Sequence, residues 1–137
     1  MPLPDELPIR WMPDLQTSNV GHFNGSDQFF LAHHSAHYRS NTSVRGQYAA
    51  LYCFARNGAL TAHKIIGPLK AVTDDTISRL RSELGPHKFG DILVAPFQLA
   101  FDGLIFGLLP DREKGTITLE PGSMITFKEP WDGEYYT

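Results

Sequence analysis

Two runs decide how this chain is built. They are Gly90-Asp-Ile-Leu-Val-Ala-Pro-Phe-Gln-Leu-Ala-Phe-Asp-Gly-Leu-Ile-Phe-Gly-Leu-Leu109 and, after a charged turn, Thr116-Ile-Thr-Leu-Glu-Pro-Gly-Ser-Met-Ile-Thr-Phe127. Apolar runs of strand length alternate with turn dipeptides, the pattern of antiparallel strands joined in chain order. Asp102-Gly103 separates residues 97–101 from residues 104–109. A type I′ hairpin turn needs positive φ at both central residues, which Asp-Gly tolerates. Phe97, Leu99 and Phe101 share a face of the first strand. In the second, Leu104, Phe106 and Leu108 share one face while Ile105 and Leu109 share the other, so this strand is expected to be central and covered on both sides. Asp111, Arg112, Glu113 and Lys114 read as a solvated hairpin loop, and residues 116–120 as the next strand. Pro121-Gly122 is a turn, and residues 123–127 return with Met124 and Thr126 on one face and Ile125 and Phe127 on the other. Pro96 cannot donate to a ladder, so residues 92–95 form a separate strand or the first half of a bent one.

Working outward, Asn57-Gly58 joins two further runs, residues 47–55 and 60–66, and is the strongest short-range hairpin signal in the chain. Tyr48, Ala50, Tyr52 and Phe54 fall on one face of the first run; Ala49, Leu51 and Cys53 fall on the other. Asn24-Gly25 joins residues 20–23 to residues 28–33 in the same way. The polar segment 35–46 reads as a loop. Residues 1–20 hold Pro2, Pro4, Pro8 and Pro13, which predicts an irregular segment pinned down by Ile9, Trp11 and Met12. One helix is expected over about residues 74–84. Thr73 caps it, Asp74 and Asp75 suit its positive end, Ile77, Leu80 and Leu84 form one apolar stripe, and Gly85-Pro86 stops it. Its Ser78, Arg79, Arg81, Ser82 and Glu83 are expected to face solvent. The predicted fold class is α+β: a meandering antiparallel β-sheet built from hairpins, with that helix packed on one face, in one globular domain over residues 1–137.

A chain of 137 residues can bury a core without disulfides or metals. A net charge of −3 argues against a general nucleic-acid binder, which needs a basic surface. A single cysteine, Cys53, suggests a reducing compartment. The prolines and acids of the opening residues do not match a signal peptide, and no run approaches the length of a membrane span. A cytoplasmic protein without membrane contact is the expectation, and the Asn24 and Asn41 glycosylation patterns are set aside accordingly.

Few motifs carry chemistry. His33, His34 and His37 cluster in His-His-Ser-Ala-His, and His33 and His37 would share a face on a helix as zinc ligands do. The metalloprotease pattern, however, requires a glutamate where His34 stands. No serine lies in a nucleophile elbow, Cys53 has no catalytic-thiol signature, and no glycine-rich loop opens a helix. Asp74 with Asp75 suits helix capping better than acid–base chemistry. No cofactor is implied, and an enzyme is not the favoured reading.

The unusual feature is the end of the chain, Lys128-Glu-Pro-Trp-Asp-Gly-Glu-Tyr-Tyr-Thr137. Its aromatic load predicts docking on the sheet or under Trp11, because aromatics bury well. Its acids and aromatics also suit a contact surface for a basic partner, with Glu129, Trp131, Asp132, Glu134, Tyr135 and Tyr136 as partner-binding candidates. Hairpins, one helix, an acidic–aromatic end and no catalytic signature resemble, in general style rather than by motif, the immunity proteins of bacterial toxin systems. Three functions follow as expectations. The first is a non-enzymatic interaction protein, an inhibitor or immunity protein covering a basic partner such as a toxin. The second is a metal-binding domain or metal-dependent enzyme using His33, His34 and His37. The third is a small-molecule binding domain using an open sheet face. Pairing through a free sheet edge would make a homodimer under any of them.

Overall fold

Turn chemistry sets the strand sequence. The computed structural model describes residues 3–37, 44–122 and 125–137. Asn24 and Gly25 take φ of 50° and 85°, and Asp102 and Gly103 take 53° and 73°, so both dipeptides turn with the left-handed conformation their residue types allow. The first closes β2 (Val20–Phe23) onto β3 (Asp27–His37); the second closes β8 (Phe97–Phe101) onto β9 (Leu104–Asp111). Around Gly58, at φ 92°, β4 (Val44–Phe54) turns into β5 (Leu60–Leu69). The remaining elements are β1 (Leu7–Ile9), α1 (Asp74–Ser82), β6 (His87–Phe89), β7 (Ile92–Val94), β10 (Thr116–Glu120) and β11 (Thr126–Phe127). Strand makes up 51% of the chain and helix 7%, so the fold is α+β with the helix as a minor layer.

The hairpins divide among three antiparallel sheets. One has five strands in the order β5-β4-β3-β2-β6, one has four in the order β11-β10-β9-β8, and β1 pairs with β7 in a ribbon. Alternation along β3 and β4 builds the layers. Phe30, Ala32, Ala50, Tyr52 and Phe54 face the four-stranded sheet and the ribbon, meeting Leu108, Ile117, Phe127, Ile9 and Val94 in one buried cluster. Phe29, Leu31, Ala49 and Leu51 face the other way, onto Leu80 and Leu84 of the helix. Both faces of these strands are therefore covered, which is why their sequences read as near-continuous apolar runs. The helix is capped as expected: the Thr76 N–H donates to Thr73 Oγ1 at 3.3 Å, and Gly85 follows its end at φ 69°.

Several expectations are corrected. Strand β9 is central, between β8 and β10, but it is covered on one face only: Phe106 and Leu108 are buried while Ile105 is 44% exposed. The segment 35–46 is not all loop. Pairing of Ser35 with Gln47 and Ala36 with Gly46 carries the β3–β4 ladder through its polar ends, and residues 38–43 lie outside the described part. Cross-strand partners decide this, not local polarity. Ser123 and Met124 also lie outside the described residues. Arg81 is half-buried and donates to Asn19 Oδ1 at 2.8 Å, because the segment before β2 folds back against the helix. Within the proline-rich first twenty residues, Leu7–Ile9 form a strand. Pro8 is tolerated there because β1 pairs on one side only.

A tight backbone approach lies in the four-stranded sheet. Gly107, at φ 149°, sits against β8 so closely that a Cβ there would come 2.0 Å from the Phe97 carbonyl oxygen. Gly90 has only His22 Cδ2 within 4.0 Å of the same construction. Gly107→Ala should cost about 2–4 kcal/mol, from strain and overpacking together. Gly90→Ala should stay within about 0.5 kcal/mol. Urea titration of the two variants checks the difference.

Candidate acidic–aromatic surface

Strand register places the end of the chain. Phe127 pairs opposite Ile117 and is buried in the core between the sheets, so the next residue, Lys128, emerges beside the start of β10. The chain then turns: the Trp131 N–H donates to the Lys128 carbonyl at 3.0 Å, with Trp131 at φ 60°. A large side chain in the left-handed region is uncommon and holds only where its surroundings fix it. Here the Trp131 side chain packs against the inter-sheet core. The Gly133 carbonyl accepts from the Arg10 N–H at 2.8 Å, and Asp132 Oδ1 accepts from the Glu134 N–H at 3.1 Å. Tyr136 exchanges two backbone hydrogen bonds with Thr126, of 2.7 and 2.9 Å. Tyr135 Oη accepts from the Gln16 N–H at 3.1 Å.

The segment is thus docked along its length, yet it keeps an outer side. Glu129, Asp132, Glu134 and Tyr136 are exposed, and Trp131 and Tyr135 are half-buried. Glu134 meets Arg10 at 3.3 Å, an exposed pair of small energetic weight. The loop before β2 adds residues that sequence reasoning missed. Leu15 is 50% exposed, next to Asp14 at φ 68°. Two clefts meet at Leu15 and Tyr135. One, about 600 Å³, is lined by Met12, Lys128, Glu134 and Tyr136; the other, about 350 Å³, by Asp14, Gln16, Asn19, His33 and Ile77. Local sequence around Asp14-Leu15 carries no signal for this, since only the fold brings residues 12–16 beside residues 134–136.

The six partner-binding candidates do not form one surface. Glu134, Tyr135 and Tyr136 border the clefts at Leu15, whereas Glu129 and Trp131 line a separate pocket beneath the β9–β10 hairpin loop. The open outer face of the four-stranded sheet holds a concavity of about 820 Å³, bordered by Leu109, Thr116, Thr118 and Thr126.

The histidines separate. His33 and His34 are neighbours on β3 and so point to opposite faces of the sheet. The His33 ring lines the smaller cleft, where its Nε2 is buried and unpartnered among the described residues. His34 lies between the sheets, 1% exposed. Its Nδ1 is 3.0 Å from the Pro121 carbonyl oxygen, which only accepts, so Nδ1 carries the proton and Nε2 accepts from the Tyr52 hydroxyl at 2.9 Å. The side chain of His37 is outside the described part. Among the described residues, no three His, Cys, Asp or Glu side chains lie close enough together to hold a metal. Cys53 is half-buried on the helix side of β4; burial, and then Asp27 and Glu83, push its thiol up to about 11, far from thiolate reactivity at neutral pH. No helix among the described residues is long and apolar enough to cross a membrane.

Compared with known proteins, the chain matches no family model, no curated protein and no solved structure. The reading of its site therefore rests on its own geometry.

Burial lowers the pKa of His34 to about 4; the Pro121 hydrogen bond opposes the shift and His33 adds to it. The folded value lies below the unfolded value of 6.5, so the neutral ring contributes fully above pH 6.5, and that contribution is lost as pH falls toward 4. The loss should reach about 3 kcal/mol. Urea titrations at pH 7 and pH 4 should show it in the wild type, and His34→Gln should flatten the dependence.

Proposed function

We propose that this chain is a non-enzymatic interaction protein of the inhibitor or immunity type, which covers a basic surface of a protein partner. The observation that carries the reading is the outer side of the docked C-terminal segment. Tyr135, Tyr136 and Leu15 offer apolar area beside Asp14 and Glu134, on backbone held by Arg10, Gln16 and Thr126. Aromatic anchors on a rigid frame lose little entropy on binding, and acids around them speed encounter with a basic partner and select for it. Leu15, half exposed beside two clefts, supplies apolar area of the kind that interface centres use.

The partner's charge follows from the acids, and its class, a toxin or another basic enzyme, follows by analogy of style. Immobilised wild-type protein should retain a basic protein from a lysate of the source cells. Asp14→Lys/Glu134→Lys/Tyr136→Ala, verified as folded by circular dichroism, should raise the dissociation constant about tenfold or more. The wild-type complex should also weaken as salt rises. Retention unchanged in the variant, or indifferent to salt, would remove this surface as the binding site.

A further inference from the structure

The pocket on the other side of the segment has a different character. It encloses about 310 Å³ and is lined by Trp131, Leu3, Arg112, Lys114 and Lys128, with the carboxylates Glu113 and Glu129 at the same opening. Three cations against two carboxylates give it an excess of positive charge in a chain whose net charge is −3. Two separate elements supply those cations, and strand register explains why they meet. Pairing of Phe127 with Ile117 brings Lys128 beside the base of the β9–β10 hairpin, whose tip carries Arg112 and Lys114.

The tip is itself ordered. The Gly115 N–H donates to the Asp111 carbonyl at 2.9 Å, and the Lys114 N–H donates to Asp111 Oδ1 at 3.1 Å. Gly115 takes the left-handed conformation, at φ 67°, that closes the loop. Arg112 and Lys114 make no ion pair with a carboxylate among the described residues, while Lys128 lies 4.5 Å from the Tyr136 ring centroid. Opposite them stands Trp131, held at φ 60° by its turn and by packing on the core. A bulky residue held in a costly conformation, with its indole lining a cavity, is an outlier from which a function can be inferred.

We propose that this pocket binds a small ligand with an apolar or aromatic body and one anionic group, a carboxylate or a phosphate monoester. The body lies against the Trp131 indole and Leu3. The anion accepts hydrogen bonds from the Arg112 guanidinium and the Lys114 ammonium, with Lys128 adding charge at the rim. The volume suits a single ring with its anionic substituent. Glu113 and Glu129 repel a second anionic group and so set the preference for a singly substituted ligand.

The test uses phenyl phosphate and the full chain. The protein has two tryptophans, so its spectrum has two indole Nε1–H resonances, assigned with Trp11→Phe. Titration of wild-type protein should move the Trp131 resonance saturably and leave that of Trp11 in place. Inorganic phosphate should bind at least about tenfold more weakly, because it lacks the ring. Arg112→Ala/Lys114→Ala keeps Asp111 and Gly115, and with them the turn, and should weaken phenyl phosphate about tenfold. Any of four results would overturn the proposal: no saturable shift, equal shifts at both indoles, undiminished binding in the double variant, or saturation by benzyltrimethylammonium in place of phenyl phosphate.

Discussion

The pairing of β3 with β4 is the constraint from which the rest of the structure follows. The ladder runs from Gln28 opposite Phe54 to His37 opposite Val44. Both strands are apolar on both faces over their middle turns, so they must be covered twice. A shift of one residue would exchange the side chains facing the helix with those facing the second sheet. Phe30, Ala32, Ala50, Tyr52 and Phe54 pack toward the second sheet and the ribbon, and Phe29, Leu31, Ala49 and Leu51 toward the helix. Register is thus specified by burial on both sides at once.

Buried polar groups reinforce that arrangement. Gln28 is nearly inaccessible, and its amide donates to the Ala55 and Leu93 carbonyls while its carbonyl accepts from the Leu93 N–H at 2.7 Å. One side chain therefore joins the five-stranded sheet to the β1–β7 ribbon and meets the backbone hydrogen-bonding needs at the ribbon's edge. His34 does the corresponding work toward the other sheet, holding the Pro121 turn on one side and the Tyr52 hydroxyl on the other. In a low dielectric, such satisfied contacts are costly to break, so they fix one packing among several that apolar contact alone would allow.

This explains which parts were legible in the sequence. Asn24-Gly25, Asp102-Gly103 and the Thr73 cap act locally, and local chemistry names them. The face assignment of Tyr48, Ala50, Tyr52 and Phe54 followed from a period of two. What alternation does not state is which strands share a sheet: apolar Ile105 and Leu109 predict a β9 covered twice, yet the helix lies on the other sheet and Ile105 stays exposed. β6 has only three residues, His87-Lys-Phe89, and owes its strand to pairing with β2. At the candidate site, the aromatic load of residues 128–137 announced docking and an outer acidic side. The contributions of Asp14, Leu15, Arg112 and Lys114 do not show, because each lies 14 or more positions from the segment it meets.

The same register that docks the last segment also gives it two unlike sides. Lys128 is forced to emerge where β10 begins, between the charged tip of the β9–β10 hairpin and the loop before β2, and it lines the clefts on both sides. From there the Trp131 turn directs the indole toward the hairpin, while the bond from Arg10 to Gly133 and the Thr126–Tyr136 bridge send Glu134, Tyr135 and Tyr136 toward Leu15. Arg112 and Lys114 stand on one side with Glu113 and Glu129, and Asp14 and Glu134 on the other, where Glu134 pairs with Arg10. The arrangement is built from backbone hydrogen bonds and core packing. With Lys128 lining the clefts on both sides, the Trp131 turn between them sets where Tyr135 and Tyr136 stand, so one short piece of backbone positions both faces of the segment.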